Sequence, residues 1–142
     1  MNCKIYELNS LKEYKYVVVL SLCKEKIMLS RHRSRDTWET QGGHIEEDET
    51  PYDAAKRELY EESGAIDFEI IPVFDYWVGD EDKFSNGMVF YGRIKELGDI
   101  PNSEMEEIGF FDSLPENLTY PKITPKLFEY LMENFEVLIQ LK

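Results

Sequence analysis

Residues 42–65 constrain this chain more than any other stretch: Gly-Gly-His-Ile-Glu-Glu-Asp-Glu-Thr-Pro-Tyr-Asp-Ala-Ala-Lys-Arg-Glu-Leu-Tyr-Glu-Glu-Ser-Gly-Ala. Glu58, Glu61 and Glu62 fall at helical offsets i, i+3 and i+4, which crowds their carboxylates on one side of a helix. Like charges at those offsets cost an isolated helix a few tenths of a kcal/mol per pair, roughly. Such a cluster calls for a neutralising cation, and carboxylate oxygens are the donors that a hard ion such as Mg2+ prefers. The helix limits are equally legible. Thr50 suits the N-cap, Pro51 the first helical position and Gly64 the left-handed terminator. Ala55 and Leu59 form an apolar stripe that Tyr52 extends, so the helix docks on a core while offering its acids to a cleft.

Counting from Gly43, five residues precede Glu49 and seven more precede Arg57-Glu58-Leu59, followed by Glu61, Glu62 and Gly64. This spacing resembles the Nudix box, G-x5-E-x7-R-E-U-x-E-E-x-G-U with U apolar. Every fixed position matches; Ala65 stands where a larger aliphatic is usual. The resemblance implies an α/β fold, specifically an α/β/α sandwich with a mixed central sheet, formed by residues 1–142 as one domain. It implies a MutT-like pyrophosphohydrolase dependent on Mg2+ or Mn2+. Carried over by position, Glu58, Glu61 and Glu62 would coordinate metal, with the Gly42 carbonyl adding an oxygen and Glu58 helping to activate water. Glu49 and Arg57 would pair, and Arg57 would orient Glu58 for catalysis. A further acid from a loop outside the box is common in the family. The candidates are Glu104, Glu106 and Glu107, and Glu104 is favoured as a metal ligand and catalytic acid.

Length and composition agree with a single globular domain. The chain has 142 residues, 42% apolar and 13% aromatic, enough to fill one core. Its longest apolar run, Val17 to Leu20, is strand-sized, so no membrane span is expected. Two cysteines, Cys3 and Cys23, make no metal or disulfide framework, and no signal-peptide apolar region follows Met1. A reduced cytoplasmic setting is the expectation. The net charge of −13 disfavours membranes and polymeric nucleic acid as partners, so a nucleotide-type small molecule is expected. A cleft cation would reverse the local sign for a phosphate substrate. The subunit count, monomer or homodimer, stays open.

Hydrophobic patterning predicts a hairpin of strands over 16–22 and 27–30, a polar loop over 31–37 and a short extended piece over 38–41. Further strands are expected over 68–78, interrupted or edged by Pro72, and over 88–94 and 108–111. Loops are expected over 79–86 and 100–107. A closing amphipathic helix over 125–135 would turn Leu127, Phe128, Leu131, Met132 and Phe135 inward.

Substrate contacts are read from several places. Arg31 resembles the phosphate- or sugar-contacting arginine of MutT-like proteins, and guanidinium forks suit phosphate oxygens. Gly43 and His44 lie at the glycine turn. Trp77, with Trp38, Tyr76 and Phe84, is an aromatic available to stack on a base or to fill the core. The stretch Leu114-Pro115-Glu116-Asn117-Leu118 is similar to the tail of some bacterial oxidised-purine triphosphatases. Three functions follow. The first is hydrolysis of a nucleoside triphosphate, 8-oxo-dGTP among the candidates, to monophosphate and pyrophosphate. The second is a catalytically silent nucleotide-binding module, although such proteins tend to lose box acids and this chain keeps them. The third is a prenyl diphosphate isomerase, which would need a cysteine at the cleft.

Overall fold

The computed structural model describes residues 2–80, 82–101 and 104–140. Residues 81, 102 and 103, inside two of the expected loops, lie outside the described residues. Among the described residues eight strands and three helices follow in order: β1 (Asn2–Glu7), β2 (Tyr14–Cys23), β3 (Lys26–His32), β4 (Trp38–Glu39), β5 (Gln41–His44), α1 (Pro51–Ser63), β6 (Ala65–Gly79), β7 (Phe84–Leu97), β8 (Met105–Phe111), α2 (Thr124–Glu133) and α3 (Phe135–Gln140). The strands form one sheet in the order β1-β6-β7-β2-β3-β4, with β5 added to β2 and β8 to β3. The β2–β7 pair is parallel and the β2–β3 and β6–β7 pairs are antiparallel, so the sheet is mixed, as expected.

Alternation along β2 sends side chains to opposite faces and builds two cores. Val17 and Val19 pack with Ala54, Ala55 and Leu59 of α1, all fully buried. Leu20 packs on the other face with Phe74 and with Leu127, Phe128 and Leu131 of α2. Truncating Leu59 to Ala would cost about 2–5 kcal/mol by the cavity it leaves. The sandwich thus follows from an apolar strand with two covered faces.

The helix limits of α1 are those expected. Thr50 Oγ1 accepts from the Asp53 amide at 3.1 Å, and Pro51 opens the helix. Gly64 ends it at φ 79°, a conformation that disfavours side chains, with its amide donating to the Tyr60 carbonyl. The β2–β3 connection is a two-residue turn whose residues, Lys24 and Glu25, both have positive φ, matching the twist of a tight hairpin.

Several expectations need correction. β1 is not among the expected strands, because Asn2–Glu7 alternates too weakly to announce a strand until it pairs with the end of β6. Arg31 belongs to β3, not to a loop, since β8 extends the ladder to it. β7 begins at Phe84 and β8 at Met105, both inside expected loops. The closing helix stops at Glu133, and Phe135 opens a separate α3. Met132 is 47% exposed, so it does not join Leu127, Phe128 and Leu131 inward. Tyr52 is also exposed and extends the apolar stripe of α1 only in part. Pro72 sits at a register shift between β6 and β7, just before β1 begins to pair with β6 at Phe74.

Candidate active site

The split pairing of β2 positions the site. Its residues 16–19 pair with β5, while residues 21–23 pair with β3. β5 therefore lies where α1 crosses the sheet, and its glycines meet the helix acids. Gly43 is required by close approach. A Cβ there would lie 1.7 Å from Glu58 Oε2, so the carboxylate packs onto bare backbone. The Gly42 amide donates to Glu62 Oε1 at 2.8 Å.

Burial sets the electrostatics. The Glu58 side chain is only 13% exposed. Desolvation pushes its pKa up to about 7 against the pull of Arg57, with Glu61 adding repulsion. Glu62 is pushed further, to about 9, mainly by burial, with the Gly42 hydrogen bond opposing and Glu58 reinforcing. The Glu61 side chain is more open to solvent.

Arg57 is the hub of this region. Its Nε and one terminal nitrogen donate to both oxygens of Glu49, at 2.6 and 2.9 Å. The other terminal nitrogen donates to Glu61 Oε1 at 3.0 Å and lies 3.3 Å from Glu58 Oε1. A further bond, at 3.1 Å, reaches the His44 carbonyl. The expected Glu49–Arg57 pair is thus present, and it clamps the loop after β5 onto the helix. The bidentate bond holds the Glu49 carboxyl at about 2, well below its ordinary value.

A hollow of about 440 Å³ is lined by Arg57, Glu58, Glu61, Glu62 and Glu104, together with Tyr60, Pro101 and Met105. The fold therefore brings Glu104, which lies well outside the box in sequence, to the same concavity as the three helix acids. His32 Nε2 lies 3.4 Å from Glu104 Oε2. Glu106 and Glu107, the other loop candidates, are turned instead to Arg31.

A second, larger cleft of about 810 Å³ has the glycine turn in its wall. Gly42, Gly43, His44, Tyr16, Tyr76, Phe84 and Tyr120 line it, and Lys15 and Lys83 also border it. The His44 ring rests on Tyr16 with centroids 4.4 Å apart. Of the aromatics singled out in the sequence, Tyr76 and Phe84 reach this cleft and two do not. Trp38 packs edge-on to Phe111 at 5.2 Å, and Trp77 stacks on Phe84 at 5.6 Å with Lys4 over its ring. Arg31 is likewise outside both concavities, held by Glu107 at 2.9 Å, Glu106 at 3.3 Å and the Arg35 carbonyl at 3.0 Å.

Sequence reasoning misses a buried polar chain beneath the turn. Ser21, Ser30 and Gln41 are all fully buried. Ser21 donates to Gln41 Oε1 at 2.7 Å, and Gln41 Nε2 donates to Ser30 Oγ at 2.9 Å. Ser30 donates in turn to the Glu62 carbonyl at 2.7 Å. The available signal is a serine within each apolar hairpin strand, which is unfavourable unless paired.

The donor set suits a hard divalent ion. Among the described residues no three acids, histidines or cysteines already converge as a coordination cage. Arg57 stands between Glu58 and Glu61 and supplies the positive charge there. Burial raises Glu58 and Glu62, so their charged forms lack solvent there, and carboxylate oxygens are ligands that Mg2+ and Mn2+ favour.

Comparison with known proteins agrees. Residues 13–131 match the family pattern described as NUDIX domain. An RNA pyrophosphohydrolase of Sulfurovum sp. (strain NBC37-1) is 33% identical over 124 residues, covering 73% of this chain and 78% of that protein. An RNA pyrophosphohydrolase of Bartonella henselae is 50% identical over 40 residues, which is 28% of this chain and 23% of that relative's length. A crystal structure of the Bacillus subtilis pyrophosphohydrolase superposes with a TM-score of 0.80 at 23% identity, covering 93% of this chain and 90% of that one. The chain belongs to the Nudix family. Its class is that of the pyrophosphohydrolases. Among the described residues no helix is long and apolar enough to cross a membrane.

Proposed function

We propose that this chain hydrolyses a phosphoanhydride in the 5′-triphosphate of an RNA, with Mg2+ or Mn2+ held by Glu58, Glu61, Glu62, the Gly42 carbonyl and Glu104. The observation that carries the reading is the contact between the glycine turn and the helix acids. The glycine turn lines the aromatic cleft and packs against Glu58 and Glu62 of the acid hollow, so one ligand can place a base in the cleft and phosphates in the hollow. The relatives named RNA pyrophosphohydrolase point to RNA rather than to a free oxidised-purine triphosphate. Internal RNA linkages are phosphodiesters, so phosphoanhydrides lie only at the 5′ terminus, two of them in a triphosphate. A terminus asks little of the rest of the polymer, which eases the conflict with the net charge of −13.

When bound, the ion supplies Lewis-acid charge to the phosphoryl oxygens. The protein does the rest. Glu58, held beside the Arg57 guanidinium at 3.3 Å, takes the proton of the attacking water. Arg57 fixes the rotamer of Glu58 and is itself fixed by Glu49. Glu62, tied to the Gly42 amide, holds the turn against the helix. His44 and Gly43 contact the substrate at the turn, and Lys15 and Lys83 border the cleft that takes its base.

A second reading, hydrolysis of a mononucleotide triphosphate, is favoured by the acidic surface and by a cleft of single-nucleotide scale. A silent binding module is disfavoured because all the box acids are present. An isomerase is disfavoured because Cys3 and Cys23 are buried in the cores and line neither concavity. The deciding assay offers a 5′-triphosphorylated oligoribonucleotide, the same oligonucleotide with a 5′-monophosphate, and the free nucleoside triphosphates, each with Mg2+ or Mn2+. Release of phosphate or pyrophosphate from the first at higher kcat/KM than from free triphosphates supports the RNA reading. The reverse ranking replaces it with the mononucleotide one.

A further inference from the structure

β2 cannot hydrogen-bond to β3 and β5 at the same residues, so the sheet opens between those two strands near Met28 and Ser30. Gln41 fills the opening. It is fully buried, it accepts from Ser21, and it donates to Ser30 Oγ at 2.9 Å and to the Met28 carbonyl at 3.3 Å. A side-chain amide suits this place because it carries an acceptor on one branch and two donors on the other.

The chain of bonds then runs into the acid site by two routes. Ser30, having accepted from Gln41, donates its own proton to the Glu62 carbonyl. That carbonyl lies in the last turn of α1, where it has no partner within the helix. The second route is covalent. Gln41 is bonded to Gly42, whose amide donates to Glu62 Oε1. Glu62 is therefore gripped at its main chain and at its carboxylate, and both grips depend on where Gln41 sits.

We propose that Gln41 is a positioning residue of the acid site: by spanning the split between β3 and β5 it sets the spacing between the Gly42 turn and Glu62. It touches neither substrate nor ion, and acts only through Ser30 and through its own peptide bond to Gly42. The inference rests on the proposed role of Glu62 for its catalytic meaning, but its structural content stands apart from it.

The test separates the two. Gln41→Met keeps length and volume and removes the hydrogen bonds; Leu131→Ala, deep in the other core, serves as a control of comparable instability. Exchange of the Gly42 amide with solvent deuterium is followed in the metal-free protein, and Mn2+ binding is titrated by electron paramagnetic resonance without substrate. Gln41→Met is expected to speed Gly42 exchange and to weaken Mn2+ binding by about tenfold or more, the scale for groups that hold a ligand in place. Leu131→Ala is expected to do neither. Ser30→Ala removes the relay alone and should shift both readouts in the same direction; it carries the test if Gln41→Met does not fold. Gly42 exchange unchanged in the folded variants overturns the positioning role. A parent protein that protects the Gly42 amide yet binds no Mn2+ instead sinks the metal reading of the acids and leaves the positioning intact.

Discussion

Arg57 and Arg31 each stand among carboxylates, and their environments differ in one respect that decides what they do. Two of the acids around Arg57 are withdrawn from water, Glu49 at 18% exposed and Glu58 at 13%, while Glu61 and Glu46 are more open. The acids around Arg31, Glu106 and Glu107, are 54% and 52% exposed. Solvent screens the second network, so its pairs are worth little, about 0–1 kcal/mol each. Within the first, the Glu49 and Glu58 pairs are screened far less, and removing Arg57 strands their buried charges. The same residue types therefore make a rigid frame in one place and a surface clasp in the other.

The sharpest way to break this contrast is at Glu58. Glu58→Gln keeps the shape and removes the charge, and turnover is expected to fall by about 10²–10⁴. Turnover at the parent rate on every accepted substrate would remove Glu58 from the mechanism. Arg57→Lys comes next. It keeps a positive charge but loses the fork that meets both oxygens of Glu49. A loss of about 10–100-fold in kcat is expected, with KM little changed. A normal kcat would mean the frame is dispensable.

The third effect concerns stability and has the opposite sign. Glu62 carries a pKa raised to about 9, above its value in the unfolded chain, so its contribution to stability is present below the unfolded value of 4.5 and is lost as pH rises toward 9. At neutral pH the metal-free protein is thus destabilised by Glu62. Glu62→Gln is expected to raise metal-free stability at pH 7 by about 1–3 kcal/mol, to flatten its fall over that pH window, and to remove stabilisation by Mn2+. Denaturant unfolding at several pH values checks all three, and a variant less stable than the parent at pH 7 would mean the Gly42 hydrogen bond outweighs burial.

The smallest effect is at Arg31. Arg31→Ala is expected to change stability by under about 1 kcal/mol and to leave kcat near the parent value. KM is the informative readout. A clear rise in KM at unchanged stability would show that Arg31 leaves Glu106 and Glu107 to meet substrate, which restores the contact expected from its sequence position.

Much of the frame around Arg57 is legible in the sequence. Glu49, Arg57, Glu58, Glu61 and Glu62 lie on one helix and its preceding loop, and helical geometry converts their spacing into neighbours. The caps of α1 are readable for the same reason. The surroundings of Arg31 are not, because Glu106 and Glu107 reach it only through the β3–β8 register. Trp77 shows the same limit: strand alternation turns it away from the cleft that Tyr76 lines, a parity that sequence composition does not carry. Gln41 and Ser30 are invisible as partners, since their meeting depends on where the sheet splits.

What the sequence alone determined is the local chemistry: a capped helix presenting three acids, an arginine and a glycine turn, because the 3.6-residue period maps spacing directly onto position. What only the tertiary structure decided is which distant groups complete that chemistry. Glu104 in the hollow, the aromatic cleft behind Gly42 and the buried grip on Glu62 all depend on strand register, and a register shifted by a single residue would turn each side chain to the opposite face.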